Sequence, residues 1–279
     1  MLDYDILAIH PGYTIRYSTS LERVAQAAMS RAGEEKEVEQ SRLLQVAGTV
    51  AIININGGLT NSDIYWNRYD DLVSYNEIRE AVIQALEAGV GSIVFNHASS
   101  GGSAYGMYEC GDFISNIPVP TLSHTAGMMC SADYFLGMQA DHIYASNLSD
   151  VGSIGVVIKM YDRTKMLQDV GIEPKRFRSG SLKMVGDSDF KLTDEEEKYI
   201  QGKVDTLANS FFTAVSDARG LTIGSMKSSG ILTGKTYFGQ DAVEVGLIDD
   251  VLSFDGVMLK AYDLAAKHLD KNNQRRIFS

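Results

Sequence analysis

Residues 49–58 read Thr-Val-Ala-Ile-Ile-Asn-Ile-Asn-Gly-Gly. The run is apolar and rich in β-branched side chains, and two glycines end it. That combination predicts a buried strand. Moving outward, residues 74–88 place Ile78, Val82, Ile83 and Leu86 at helical spacing, and Gly89 to Gly91 closes the helix. Ser92–Phe95 reads as a second short buried strand. Helices are expected over 103–114, 129–138 and 162–170, the last ended by Gly171, with strands over 119–123 and 142–145 between them. Strand and helix alternating every 20–30 residues imply parallel pairing with right-handed crossovers, an α/β fold. Before this block, residues 1–17 read as an irregular arm and 19–45 as a helix whose run Glu34-Glu35-Lys36-Glu37 forms a solvated face. After it, Thr193-Asp-Glu-Glu196 forms a capping box that opens a long amphipathic helix to about Arg219. No shift in composition marks a domain boundary.

The 279 residues suit one large α/β domain or two small ones, and 44% hydrophobic against 22% charged residues is ordinary for a soluble globular chain. A net charge of -11 repels nucleic acid, and the patches that could override it, Lys175-Arg176 with Arg178 and the tail pair Arg275-Arg276, are short. No nucleic-acid partner is expected. The two cysteines, Cys110 and Cys130, make no disulfide framework, so a reducing compartment is the simpler reading. The first residues lack the positive and apolar regions of a leader, and no run of about 18 apolar residues suggests a membrane span.

Three segments that follow strands could carry chemistry. Ser99-Ser100-Gly101-Gly102 could turn backbone N–H groups toward a ligand, although on spacing alone a plain tight turn is the better account. His124-Thr-Ala-Gly-Met-Met-Cys-Ser-Ala-Asp-Tyr134 places Ser131 among small residues where a helix would begin. There it is either a helix cap or a nucleophile near free N–H groups. Arg178-Ser-Gly-Ser-Leu-Lys183 ends in a lysine with small and apolar neighbours that permit burial. A lysine acting as base must be deprotonated near neutral pH, which burial favours.

Together and in this order, over about Gly48 to Leu252, the segments resemble the Ser/Lys peptidases of the signal peptide peptidase A family. Ser99-Ser100-Gly101-Gly102 stands for that family's Ser-Pro-Gly-Gly turn, with Ser100 in place of the proline. Cys130-Ser131-Ala132-Asp133-Tyr134 matches its nucleophile run, Gly152-Ser153-Ile154-Gly155-Val156 its Gly-Ser-Ile-Gly-Val strand, and Ser179-Gly180-Ser181-Leu182-Lys183 its lysine segment. Thr233–Ala242 and Gly246-Leu-Ile-Asp249 match its closing turn and helix. The resemblance implies a ClpP/crotonase-like spiral of βαβ units with a helical C-terminal part. It divides the chain into an arm and helix (1–47), a peptidase domain (48–252) and a C-terminal helix and tail (253–279). Ser131 is then the nucleophile and Lys183 its base, with Gly102 and Ala132 as the oxyanion hole and Gly101 and Ser153 in support. No metal or cofactor is implied.

Within the family the chain looks most like the head maturation proteases of tailed phages. That implies polypeptide substrates among scaffold and head proteins, a homo-oligomer, and a place in the host cytoplasm and the prohead or virion interior. Asp133 stands where the family commonly has glycine. It either acts on Lys183 or points to solvent from the first helical turn. Met128, Met129, Tyr105 and Tyr134 are candidate pocket walls. Rival readings are a Ser-His-Asp triad using His97 or His124, a Cys130 nucleophile, a crotonase-like acyl-CoA enzyme, and a non-catalytic head or scaffold-binding protein of the same fold.

Overall fold

The computed structural model describes residues 6–9, 41–61 and 71–277. Its centre is the expected run: strand β3 (Val50–Asn56) pairs in parallel with β6 (Ser92–Ser99), which pairs in parallel with β8 (Thr121–Cys130). Strands β9 (His142–Ala145) and β10 (Asp150–Gly152) both pair with β8, the first along Leu122–Thr125 and the second along Met128–Cys130. β8 therefore forks. At the fork the β6–β8 register shifts between His97↔Thr125 and Ser99↔Met129. β2 (Leu44–Ala47) and β12 (Thr236–Phe238) extend the sheet antiparallel at its two ends, and β13 (Asp250–Val251) joins β9.

The apolar runs are explained by cover on both faces. Alternate residues Ala51, Ile53 and Ile55 of β3, with Ile93 and Phe95 of β6, pack under helices α1 (Tyr75–Glu87), α2 (Met107–Ser115) and α3 (Ala132–Gly137) and under Phe211 and Val215 of α5 (Asp194–Arg219). The intervening Val50, Val94 and Leu122 meet Val257, Ala261 and Ala265 of α8 (Phe254–Ile277) on the other face. The result is a mixed α/β architecture built on a largely parallel sheet.

A second sheet runs in the order β11 (Val157–Ile158), β1 (Ile6–Ile9), β7 (Gly101–Ser103), β4 (Gly58–Thr60), β5 (Leu72–Ser74). It was not legible in the sequence, because its strands are too short to show a period. Several expectations are corrected here. Residues 6–9 are a strand rather than irregular arm. The helix expected over 19–45 lies outside the described residues except at its end, where Leu44–Ala47 is a strand. β8 runs through Met129 and Cys130, so the helix expected from Met129 starts only at Ala132. Gly101–Gly102 belongs to a strand and not to a turn. The Gly-Ser-Ile-Gly-Val segment is mostly irregular, with β10 ending at Gly152 and β11 beginning at Val157. Arg275-Arg276 continues α8 instead of forming a tail.

The remaining described helices are α4 (Thr164–Asp169), α6 (Ile223–Ser229) and α7 (Gly239–Glu244). The capping box is formed as expected: the Glu196 N–H donates to the Thr193 hydroxyl, and the Thr193 N–H donates to the Glu196 carboxylate. Arg176 and Arg178 both pair with that buried carboxylate, so two members of the basic patch are already neutralised within the chain. Burial alone would push the Glu196 carboxyl up. The hydrogen bonds from Thr193 and Arg178 and the charge of Arg176 outweigh it and hold the group below the usual glutamate range. A carboxyl depressed in the folded state stabilises the fold above its unfolded pKa of about 4.3, and that contribution is lost as pH falls through the folded value. Chemical unfolding followed from pH 7 down to about 3 should show this loss, and Glu196→Gln should lower stability at pH 7 and flatten the acid limb. Identical acid limbs in the two proteins would remove Glu196 as its cause.

Candidate active site

Ser131 is the last residue before α3, at the junction with the end of β8. Its backbone lies at φ 57, ψ -121, a region that non-glycine residues rarely occupy and that costs about 1–3 kcal/mol. The conformation is held from outside. The Ser131 N–H donates to Gly152 O at 2.7 Å, tying the junction to the end of β10, and the Ser131 carbonyl accepts the first helical bond from Phe135 at 2.9 Å. A serine on a sharp strand-to-helix turn is the geometry that presents a hydroxyl for attack. The Ser131 side chain is buried, yet its Oγ has no hydrogen-bond partner among the described residues.

Beside the junction, α3 packs against β7. Gly101 (φ 99) turns the chain out of β6, and its N–H donates to Ser99 Oγ. Gly102 lies so close to β4 that an added Cβ would stand 1.9 Å from the Leu59 carbonyl oxygen. Only glycine fits, because the atom in the way is backbone. Ala132, the first residue of α3, carries an N–H without an intrahelical acceptor. Ser153 (φ 52) is held by its N–H to Lys235 O at 3.0 Å. It opens a cleft of about 370 Å³ lined also by Ile154, Val156, Asp205, Phe212 and Leu232.

Asp133 does neither of the things expected of it. It is fully buried, and its Oδ1 lies 2.8 Å from His97 Nδ1, while His97 Nε2 lies 3.1 Å from Ser123 Oγ. The His97 ring thus bridges the Asp133 carboxyl at Nδ1 and the Ser123 hydroxyl at Nε2. Burial pushes the Asp133 carboxyl up, and the charge and hydrogen bond of His97 pull it back. The chain of contacts ties β6, β8 and the first turn of α3 together directly behind Ser131. Both ring nitrogens of His97 are thus engaged away from Ser131. His124 is tied through Nε2 to Leu252 O at 3.0 Å, and burial lowers its pKa, with the nearby His97 adding to the effect and the Leu252 bond opposing it. Neither imidazole backs Ser131. Cys130 is buried at the end of β8, and burial together with Asp133 and Asp150 pushes its thiol up, away from the thiolate that nucleophilic attack needs. Met129 and Tyr134 are core residues rather than pocket walls, and the Tyr134 hydroxyl donates to Leu247 O. Met128 is half-buried and Tyr105 exposed.

Lys183 is exposed, against the expectation of burial, on a turn closed by its N–H to Gly180 O at 3.0 Å. No hydrogen bond joins it to Ser131 within the chain. The loop that carries it is nonetheless anchored on both sides. Ser181 donates to Glu195 and Arg178 pairs with Glu196 at the start of α5, Arg176 lies over the Phe190 ring, and Arg163 pairs with Asp189. One feature escaped the sequence reading altogether. From β11 to Lys183 the chain exposes Val157, Tyr161, Met166, Val170, Ile172 and Phe177, and no residue of α4 within this stretch is fully buried.

His97→Ala would leave the Asp133 carboxyl buried without its partner. Urea unfolding should register a loss of about 3–5 kcal/mol, and His97→Ala combined with Asp133→Ala should recover part of it. A loss under about 1 kcal/mol for the single change would show that the pair carries little of the local order.

The family model for Peptidase family S49 matches residues 115–268, more than half of the chain. A protein of Enterococcus faecium provisionally named signal peptide peptidase SppA is 26% identical over 67% of this chain and 53% of its own length. Protease 4 of Salmonella typhi is 26% identical over 80% of this chain and 36% of its own. Head-tail preconnector protein GP5 of Enterobacteria phage P21 is 23% identical over 76% of this chain and 42% of its own. The chain spans about half the length of the first of these relatives and less of the other two. A strained serine at a strand–helix junction, a glycine strand beside it and a family model that spans the serine and more than half of the chain lead to one assignment: the chain belongs to peptidase family S49.

Proposed function

We propose that the chain is a serine endopeptidase in which Ser131 attacks the peptide carbonyl and Lys183 is the base. The observation that carries the reading is the buried Ser131 hydroxyl, unpartnered and held in a strained turn beside the Gly101–Gly102 strand. In this mechanism the neutral Lys183 amine takes the proton from Ser131 as Oγ bonds to the carbonyl carbon. The N–H groups of Gly102 and Ala132 stabilise the oxyanion. The C–N bond then breaks, Lys183 returns the proton to the leaving amine, and water hydrolyses the acyl-enzyme by the same route. Ser153, next to Gly152, orients the lysine. Residues 48–252 carry this site on a ClpP/crotonase-like spiral. No metal or cofactor takes part.

Lys183 acts on Ser131 of a neighbouring copy in this reading. Three features support it: the lysine is exposed on a loop that ion pairs hold in place, and among the described residues Ser131 Oγ has no hydrogen-bond partner and the apolar stretch next to the loop is uncovered. Stacking copies through that stretch would bury it and would bring the lysine into a dry site, where its neutral form is favoured. Asp133, which next to Lys183 would have opposed its action as base and so favoured a non-catalytic role, instead faces His97. Cleavage of scaffold and head proteins during capsid maturation is the biological setting we favour, supported by the likeness to the phage P21 protein.

Proteolysis of a scaffold protein or casein tests the reading. Ser131→Ala and Lys183→Ala should each lower kcat/KM by about 10⁴-fold or more, and the acid limb of the pH–rate profile should disappear with the lysine. Mixing the two inactive variants should restore activity, since one copy supplies the serine and its neighbour the lysine. An active Lys183→Ala protein would sink the dyad, and a mixture that stays inactive although both variants oligomerise would sink its sharing between copies.

A further inference from the structure

The second sheet has an unusual construction. β1 lies between β7 and β11 and pairs antiparallel with both, with Leu7 opposite Ser103, Ala8 opposite Gly102 and Ile9 opposite Gly101 on one side, and Ile6 opposite Ile158 and Leu7 opposite Val157 on the other. β7 and β11 do not pair with each other. Each offers β1 an edge that no other described strand uses, since the other edge of β7 is taken by β4 and β11 ends the sheet. Without β1 the two edges would face each other across two strand spacings, about 9–10 Å. That is a slot for one extended peptide.

The walls of this slot also frame Ser131. β7 contains Gly101 and Gly102 and packs against α3, whose first turn follows Ser131. β11 follows the segment whose Gly152 carbonyl accepts the Ser131 N–H. A strand in the slot therefore lies along the surface where the proposed nucleophile and oxyanion donors meet.

We infer that residues 6–9 are an internal occupant of the peptide slot, a substrate-like strand of the sequence Ile-Leu-Ala-Ile that an incoming polypeptide must displace. The two cannot pair with the same edges together. This deepens the peptidase reading by assigning regulation to its site, and the exclusion itself requires no catalysis. It also states what the slot accepts: an extended, uncharged, apolar segment running antiparallel to β7, with a small residue opposite Gly102. A substrate sees only the fraction of molecules whose strand is out, so its apparent Kd rises by the reciprocal of that fraction. A strand in place nine-tenths of the time would weaken binding about tenfold.

The test uses the full-length chain carrying Ser131→Ala, with and without Leu7→Pro and Ala8→Pro. Proline cannot donate to a ladder, so two in the middle of β1 should release it. A fluorescent peptide of residues 3–11 (Asp-Tyr-Asp-Ile-Leu-Ala-Ile-His-Pro) is titrated into each protein. Binding at least about tenfold tighter to the proline variant is expected, as is competition from the same peptide unlabelled. Equal binding to both proteins, or none to the proline variant while its unfolding transition remains cooperative, overturns the inference. Hydrolysis by the same two proteins with Ser131 restored decides the underlying reading separately. Tight peptide binding without hydrolysis keeps the occupied slot and rejects the peptidase, whereas hydrolysis with equal KM in both chains keeps the peptidase and rejects the occupant.

Discussion

Ser131 holds a backbone conformation that its own side chain disfavours, and much of the surrounding structure can be understood as what holds it there. The hydrogen bond from its N–H to Gly152 O fixes the turn from the side of β10. The Asp133–His97–Ser123 chain fixes the first turn of α3 from behind. The Tyr134 hydroxyl pins the same turn to Leu247. A few kcal/mol of local strain persists only where the neighbours over-determine the geometry, and these contacts reach from the junction into β6, β8, β10 and the segment before β13. The fork in β8 belongs to the same arrangement, because the register shift beside His97 lets one strand serve β9 with its first half and β10 with its second.

Much of the main sheet was legible in the sequence because burial on both faces leaves a plain signature. Val50–Asn56 and Ser92–Phe95 are continuous apolar runs, and alternate residues go to different helical layers. The capping box at Thr193 was legible for a similar reason, since its chemistry is local. Elements whose structure depends on distant partners were not. Gly101–Gly102 looked like a turn because two glycines usually make one, whereas here the requirement is the approach of the Leu59 backbone. Residues 6–9 carry no periodic pattern, and their strand exists through β7 and β11.

The candidate site divides along the same line. Ser131 was singled out because small residues cluster around it where a helix begins, and the structure puts it at that junction. The role of Asp133 was misread because nothing in the spacing of positions 97 and 133 announces that they meet. Lys183 was singled out through its segment, but its exposure was not foreseen. The neighbouring residues suggested a buried pocket, whereas the polar groups at the start of α5 hold the loop at the surface.

The stretch from Val157 to Phe177 has a consequence for how such a protein would behave in time. No residue of α4 is fully buried among the described residues, so a second molecule packed on this face would add most of its apolar cover, and that cover follows mass action. Where a neighbouring copy supplies the base, turnover rises more steeply than linearly with protein concentration. On the proposed shared site, dilute, newly made chains would stay quiet, and crowding into a confined volume would turn them on without any further signal.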